Sequence, residues 1–295
     1  MRNRESNMRY TDTDGTPVTV YQPNERQGGL IWGIKQAHSD IWTSRHVIAR
    51  LFLRDFVAQF RQKLLGYLWA LLGPLLGIIS FLFLYVAGVL QPGEGAMPYT
   101  LYVLLGSNIW SCLPGAMGTV SGGLQAQADL IMRTRVPKIA LAVSSLANMC
   151  YSIMLSLITT LIVFIFCGLV PTWWFLLYPL LILPMILLGV AIGMVLAVLG
   201  TIAKDLTPMV SQGLTLLMYI TPVIYLRSTI ENPIIKLLID YNPITYLVDV
   251  PRALMVTGQA ENVSIYLMVA TGAIVLAIIG IRAFYLLEDL VAERL

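Results

Sequence analysis

Apolar residues in this chain come in long runs, and the charges fall between the runs. No Asp, Glu, Lys or Arg occurs between Lys63 and Glu94, or between Glu94 and Asp129. A helix needs about 20 apolar residues to cross roughly 30 Å of hydrocarbon, so these intervals predict spans near 64–90 and 98–121. Asp205 to Arg227 and Glu261 to Arg282 bracket one further span each. Ahead of these two lies an uncharged tract of 65 residues, 139–203, which at about 1.5 Å per residue holds two crossings with slack or three with none. Its one turn-like interruption, GLVPTWW from Gly168 to Trp174, favours two and sets tryptophans at an interface. The pattern predicts an all-α, polytopic membrane protein with six transmembrane helices.

Two segments depart from this pattern. In HVIARLFLRDFVAQFRQKLLGYLW, Ile48, Phe52, Phe56, Phe60 and Leu64 recur every four residues while Arg50, Arg54 and Arg61 fall on another face. This is the signature of an N-terminal interfacial amphipathic helix; a helix packed on a protein partner is the alternative. Ile31, Ile34, Ile41 and Trp42 suggest a second such helix upstream. The other departure is ENPIIKLLIDYNPITYLVDVPRALM, residues 231–255, apolar yet carrying Glu231, Lys236, Asp240, Asp249 and Arg252 and broken by Pro233, Pro243 and Pro251. Asn232-Pro233 and Asn242-Pro243 repeat one device, since Asn caps the first amides of a helix and Pro suits its first turn. Two short helices meeting at 240–242 can form a re-entrant helical hairpin between spans five and six. Backbone at such depth is tolerated where protein or water surrounds it; a plain amphipathic loop is the alternative.

Composition agrees with the pattern. Hydrophobic residues make up 57% and charged residues 12% of the chain, with a mean hydropathy of +0.76, against about 45–50% and about 25% in soluble domains. Cys112, Cys150 and Cys167 all sit in apolar runs, where thiols pack as small hydrophobes. Residues 1–29 are polar without an apolar core, which predicts a flexible cytosolic tail rather than a signal peptide. With six spans and a cytosolic N-terminus, 16 of the 19 Lys and Arg lie inside, as the positive-inside rule asks. A seven-span arrangement scores the same, so the rule fixes the N-terminus and leaves the count to the break at Gly168.

The residues rule out one chemistry and weigh against others. No Gly-Lys dipeptide occurs, so the chain has no phosphate-binding loop of its own. The spans lack the buried Asp, Glu, Lys or His common in ion-coupled carriers, and the internal cytosolic loops offer only Asp129 and Asp205 for an enzyme. His38 and His46 have no Cys or His company at metal-ligand spacing. Three GxxxG pairs, Gly73 with Gly77, Gly118 with Gly122 and Gly189 with Gly193, permit close helix packing within one bundle or between two copies. The loop GGLQAQADLIMRTRVPKIALAV has room for one short helix near 125–133, stopped by Pro137. Such a helix can dock in another protein's groove, or the loop is an ordinary basic one. Tyr85, Tyr102, Trp110, Tyr219 and Tyr225 are candidates to line a substrate channel, or aromatics at a membrane interface.

The order of these parts resembles the permease subunit of ABC-2 type exporters, closest to the branch that exports polysaccharides such as O-antigen, capsule and teichoic acid. The resemblance covers about residues 30–290. It is carried by FRQKLLGYLWALLGPLLGIISFLFL from Phe60, ADLIMRTRVPKIA from Ala128, KDLTPMVSQGLTLLMYITPVIY from Lys204 and NPITYLVDVPRALMVTG from Asn242. Two departures stand out: a longer polar N-terminal tail, and Gln62-Lys63 where the family carries Tyr-Arg or a similar polar pair.

The resemblance implies interfacial helices over 30–63 and a six-span domain over 64–290. It implies a homodimer in the bacterial plasma (inner) membrane, both termini cytosolic, with two copies of a separate ATPase below. ATP and Mg belong to that partner and this chain binds no cofactor, metal or nucleic acid. Gln127, Asp129, Leu130, Arg133, Arg135 and Lys138 become an ATPase-coupling segment, and Lys204 and Asp205 an inner gate. Asn232, Pro233, Asp240, Tyr241, Asn242, Pro243 and Arg252 become an outer gate, and the substrate is a lipid-linked glycan. Export of a drug or small lipid, or a membrane enzyme acting on a lipid-linked sugar, are the rival readings.

Overall fold

The computed structural model describes residues 10–11, 17–18, 30–61, 76, 79–80, 82–88, 97–126 and 137–294. Among the described residues the regular structure is helical apart from an antiparallel ladder of two-residue strands, β1 (Tyr10–Thr11) and β2 (Pro17–Val18). In chain order the helices are α1 (Leu30–Thr43), α2 (Arg45–Arg61), α3 (Tyr99–Ala126), α4 (Lys138–Phe166), α5 (Tyr178–Leu181), α6 (Leu183–Ile202), α7 (Leu206–Ile220), α8 (Pro233–Tyr241), α9 (Pro243–Thr257) and α10 (Val263–Arg294).

Among the described residues, three helical stretches are long and apolar enough to cross a membrane, Lys138–Phe166, Trp173–Gly200 and Val263–Leu286, and Leu206–Ile220 is apolar but shorter. The tract 139–203 divides at the expected break. Gly168 adopts φ 67°, which costs glycine nothing, and Leu169 N–H reaches back to the Phe164 carbonyl at 3.0 Å, closing α4 with a left-handed cap. A 3-10 turn, Trp173–Leu177, then leads into α5 and α6. It is stacked at Trp173 and Trp174, whose ring centroids lie 4.1 Å apart.

The core is built around α3. Leu101, Leu104, Leu105, Ile109, Leu113 and Ala116 of this helix are fully buried, with α6 on one side and α4 on another. Gly189 and Gly193 press α6 onto α3 backbone to backbone: a Cβ on Gly189 would collide with the Leu113 carbonyl and stand 2.7 Å from Ala116 Cβ, and one on Gly193 would stand 2.8 Å from the Met117 carbonyl. Gly118 faces open space instead, as does Gly122. The Gly189 pair therefore packs within one bundle. Gly73 and Gly77 lie outside the described residues.

Polar ties cross the apolar seams. Asn108 Nδ2 donates to Thr160 Oγ1 at 3.0 Å, Ser145 Oγ to the Thr119 carbonyl at 3.1 Å, and Tyr266 Oη to the Leu181 carbonyl at 2.8 Å. With little apolar drive between helices in lipid, such bonds and close packing hold a bundle together.

Helices form over both N-terminal segments, and both rest on the bundle, with Ile34 and Trp42 of the expected α1 apolar set left exposed. Phe52 and Phe56 of α2 stack at 5.7 Å, Phe56 meets Tyr151 of α4 edge-on at 5.6 Å, and Arg50 and Arg54 stay exposed. On α1, Asp40 Oδ2 accepts from Tyr285 Oη of α10 at 2.7 Å and Trp32 meets the Tyr285 ring at 6.0 Å. Side chains of Phe60 and Leu64 lie outside the described residues.

Candidate functional site

Each arm of the 231–255 segment starts on its own Asn-Pro cap. Asn232 Oδ1 accepts from the amides of Ile234 and Ile235 at 2.9 and 3.4 Å, with Pro233 opening α8. Asn242 Oδ1 accepts from Ile244 N–H at 3.1 Å, with Pro243 opening α9. Asn242 does a second thing that Asn232 does not: its Nδ2 donates to Thr221 Oγ1 at 2.9 Å, in a buried position just past the end of α7. The corner between the two helices is closed by Thr245 Oγ1 donating to the Ile239 carbonyl at 3.0 Å and Tyr246 Oη to the Asp240 carbonyl at 2.9 Å. Asp240 also pairs with Arg227, whose guanidinium lies 5.8 Å from the Tyr246 ring. Tyr241 points away and is exposed.

Arg252 is the centre of this end of the bundle. It is 2% exposed and sits on α9 among buried apolar neighbours. Its Nη2 donates to the Pro222 carbonyl at 2.8 Å and to Asp249 Oδ1 at 3.0 Å, and its Cζ lies 3.7 Å from the Tyr102 ring centroid. Arg252 Nε and Nη1 have no hydrogen-bond partner among the described residues. Burial raises the Asp249 carboxyl above its ordinary range, against the lowering pull of Arg252 and Arg227. Tyr102 Oη donates to the Pro222 and Tyr225 carbonyls at 3.1 and 3.0 Å, and Tyr99 Oη to the Ile224 carbonyl at 2.9 Å. The segment 221–225 is thus clamped between α3 and α9.

The Gly168 break belongs to the same end. Thr172 N–H donates to the Met255 carbonyl at 3.0 Å and its Oγ1 to the Leu254 carbonyl at 2.6 Å. A cavity of about 400 Å³ opens beside Arg252, bounded by Tyr102, Arg227, Tyr246, Asp249 and the turn 257–262.

The five aromatic residues named as channel candidates fall in different settings. Tyr102 is buried because both its hydroxyl and its ring serve the 221–225 clamp, and Trp110 is 4% exposed inside the core. Tyr85 packs on Tyr99 at 4.9 Å, Tyr219 is exposed, and Tyr225 donates its hydroxyl to the Tyr219 and Ile220 carbonyls at 3.0 Å. Lys204 and Asp205 are exposed in the turn between α6 and α7, where Asp205 holds the N-cap position without a side-chain capping bond. Gln127, Asp129, Leu130, Arg133 and Arg135 lie outside the described residues, and Lys138 opens α4. Sequence reasoning missed the clamp on 221–225 and the role of Asp249. The i, i+3 spacing of Asp249 and Arg252 on one helix face was the available signal.

An all-helical bundle with several membrane-length apolar helices, two amphipathic helices docked on it and a capped helical hairpin tied to one end defines a polytopic membrane protein. Residues 46–256 match the family of the ABC-2 type transporter, and the chain belongs to that family. It is similar to the O-antigen export system permease protein RfbA of Myxococcus xanthus, 28% identical over 246 residues, which is 80% of this chain and 93% of that protein. An O-antigen export system permease protein RfbA of Klebsiella pneumoniae is 27% identical over 246 residues, 82% of this chain and 92% of that protein.

Proposed function

We propose that this chain is the membrane-spanning subunit of an ATP-driven exporter that moves a lipid-linked polysaccharide out across the bacterial inner membrane. The observation that carries the reading is the similarity to O-antigen export permeases along four-fifths of the chain. The sequence itself holds no phosphate-binding loop, so the energy comes from a separate ATPase, present as two copies beneath a homodimer of this chain. Six spans put both termini in the cytosol and the 168–177 turn and the 231–257 hairpin outside. The bonds of Thr172 to Leu254 and Met255 support that arrangement, since they join the two segments at one end of the bundle. The segment Gln127–Arg135 then faces the ATPase, with Lys204 and Asp205 at the inner mouth. Closure of the ATPase pair on ATP pushes this loop, and the hairpin releases the outer mouth.

The test is to tag the chain, extract it gently from its native membrane and identify by mass spectrometry what remains bound, alongside a strain lacking the chain. A stoichiometric nucleotide-binding subunit, together with loss of surface glycan restored by complementation, is the expected result. A lone chain across several detergents, with surface glycan intact in the deletion strain, refutes it.

A further inference from the structure

The geometry points to a binding site for one neutral sugar ring in the cavity beside Arg252, an exit subsite for the glycan. The inference rests on the glycan-export reading above. The cavity of about 400 Å³ lies near the small end of ligand pockets, which run from about 300 to 1,000 Å³, and suits one ring rather than a folded chain. Its charged lining balances: Arg227 and Arg252 face Asp249 and Glu261. A site for phosphate or a uronate carries excess positive charge, and a site for an ammonium group excess negative charge. This one carries neither.

What the cavity offers is donors and acceptors side by side. Asp249 and Glu261 accept, Arg227 donates, and the Gln259 amide does both. A sugar hydroxyl is at once donor and acceptor, so adjacent hydroxyls on one ring can bridge such a set. Arg252 fixes the wall of the site. It is 2% exposed, lines the cavity, and its Nη2 holds the Asp249 carboxylate in place at 3.0 Å. A sugar hydroxyl entering the cavity donates to that carboxylate without adding charge.

The test uses the full-length chain in lipid nanodiscs, probed by saturation-transfer NMR with methyl α-mannopyranoside and methyl β-galactopyranoside, and with glucuronate and inorganic phosphate as charged competitors. The expected result is transfer to at least one neutral hexoside, with apparent affinity about tenfold weaker in Asp249→Asn, the loss of one charge-assisted hydrogen bond. Because Asp249 also steadies Arg252, Gln259→Leu and Glu261→Gln on the exposed rim provide variants that leave the α9 packing alone, with the same direction of change. Equal binding in all variants, a preference for glucuronate or phosphate, or no transfer from any of the four probes overturns the inference. The two readings fail separately. Surface glycan that persists without the chain defeats the export reading and this subsite with it; export that depends on the chain, combined with any of the overturning NMR results, defeats the subsite alone.

Discussion

Replacing Asn242 by Ala removes two different things, and the structure says how much each is worth. The first is the N-cap of α9, whose loss costs about 1 kcal/mol. The second is the buried bond from Asn242 Nδ2 to Thr221 Oγ1 at 2.9 Å, worth about 1 kcal/mol net. Asn242→Ala should therefore cost about 2 kcal/mol, against about 1 kcal/mol for Asn232→Ala, whose cap is exposed and has no second bond. Thr221→Val should also cost about 1–2 kcal/mol, because it loses both this bond and the local one to the Leu217 carbonyl. The decisive quantity is the coupling. Asn242→Ala combined with Thr221→Val should fall short of additivity by about 1 kcal/mol, as expected for residues in direct contact. Reversible unfolding of the purified chain in mixed micelles gives the four stabilities. Equal costs at Asn242 and Asn232, or strict additivity in the cycle, would refute the claim that the hairpin is tied to the end of α7 through this amide.

Further expectations follow from the same structure. Arg252→Ala leaves the Pro222 carbonyl without its guanidinium donor and Asp249 unpaired, and should cost about 3 kcal/mol in the same unfolding assay; Arg252→Lys should recover only part of it, because an ammonium cannot reproduce the planar contact with Tyr102. Gly189→Ala drives a methyl into the Leu113 carbonyl and Ala116 and should sharply lower the yield of folded chain, whereas Gly118→Ala enters open space and should be neutral or slightly stabilising, both read by fluorescence-detected size-exclusion. Cysteine at Gln127 or Arg133 should crosslink to the ATPase subunit, and export that survives replacement of this loop by Gly-Ser would remove it from the coupling path. Cysteine at Ile239 or Tyr241 should change its maleimide reactivity between nucleotide-free and ATP-trapped complexes; unchanged labelling would make the hairpin a static loop.

What the sequence made legible was local. The Asn-Pro repeats at 232 and 242 carry their own capping atoms, so both helix starts could be read without knowing any neighbour. The break at Gly168 was legible for the same reason, since a left-handed residue followed by Pro171 ends a helix whatever surrounds it. The bundle-facing side of α2 followed from spacing through Phe52 and Phe56, whereas α1 turns Trp32, Ala37 and Asp40 to the bundle and leaves Ile34 and Trp42 exposed. Partner choice was not legible. Gly118 with Gly122 and Gly189 with Gly193 have identical spacing, and only the position of α3 decides that the second pair is pressed against backbone while the first is open. Tyr102 and Trp110 read as channel aromatics because an amphipathic ring looks alike at a pore, an interface or a core. The clamp on 221–225 joins residues some 120 positions apart, beyond any local pattern.

The seam between α3 and α6 has a mechanical meaning. With Gly189 and Gly193 seated on peptide groups of α3, the two helices have no side-chain layer between them at these two points and are seated backbone to backbone. Helix α7, by contrast, buries only Leu214 along its 15 residues. Under the exporter reading proposed above, a push on the bundle would move α3 and α6 together, leaving α7 and the clamp beyond it as the parts free to yield. The stroke of such a device is set by how far α7 can swing before the bonds at Thr221 and Pro222 reach their limit.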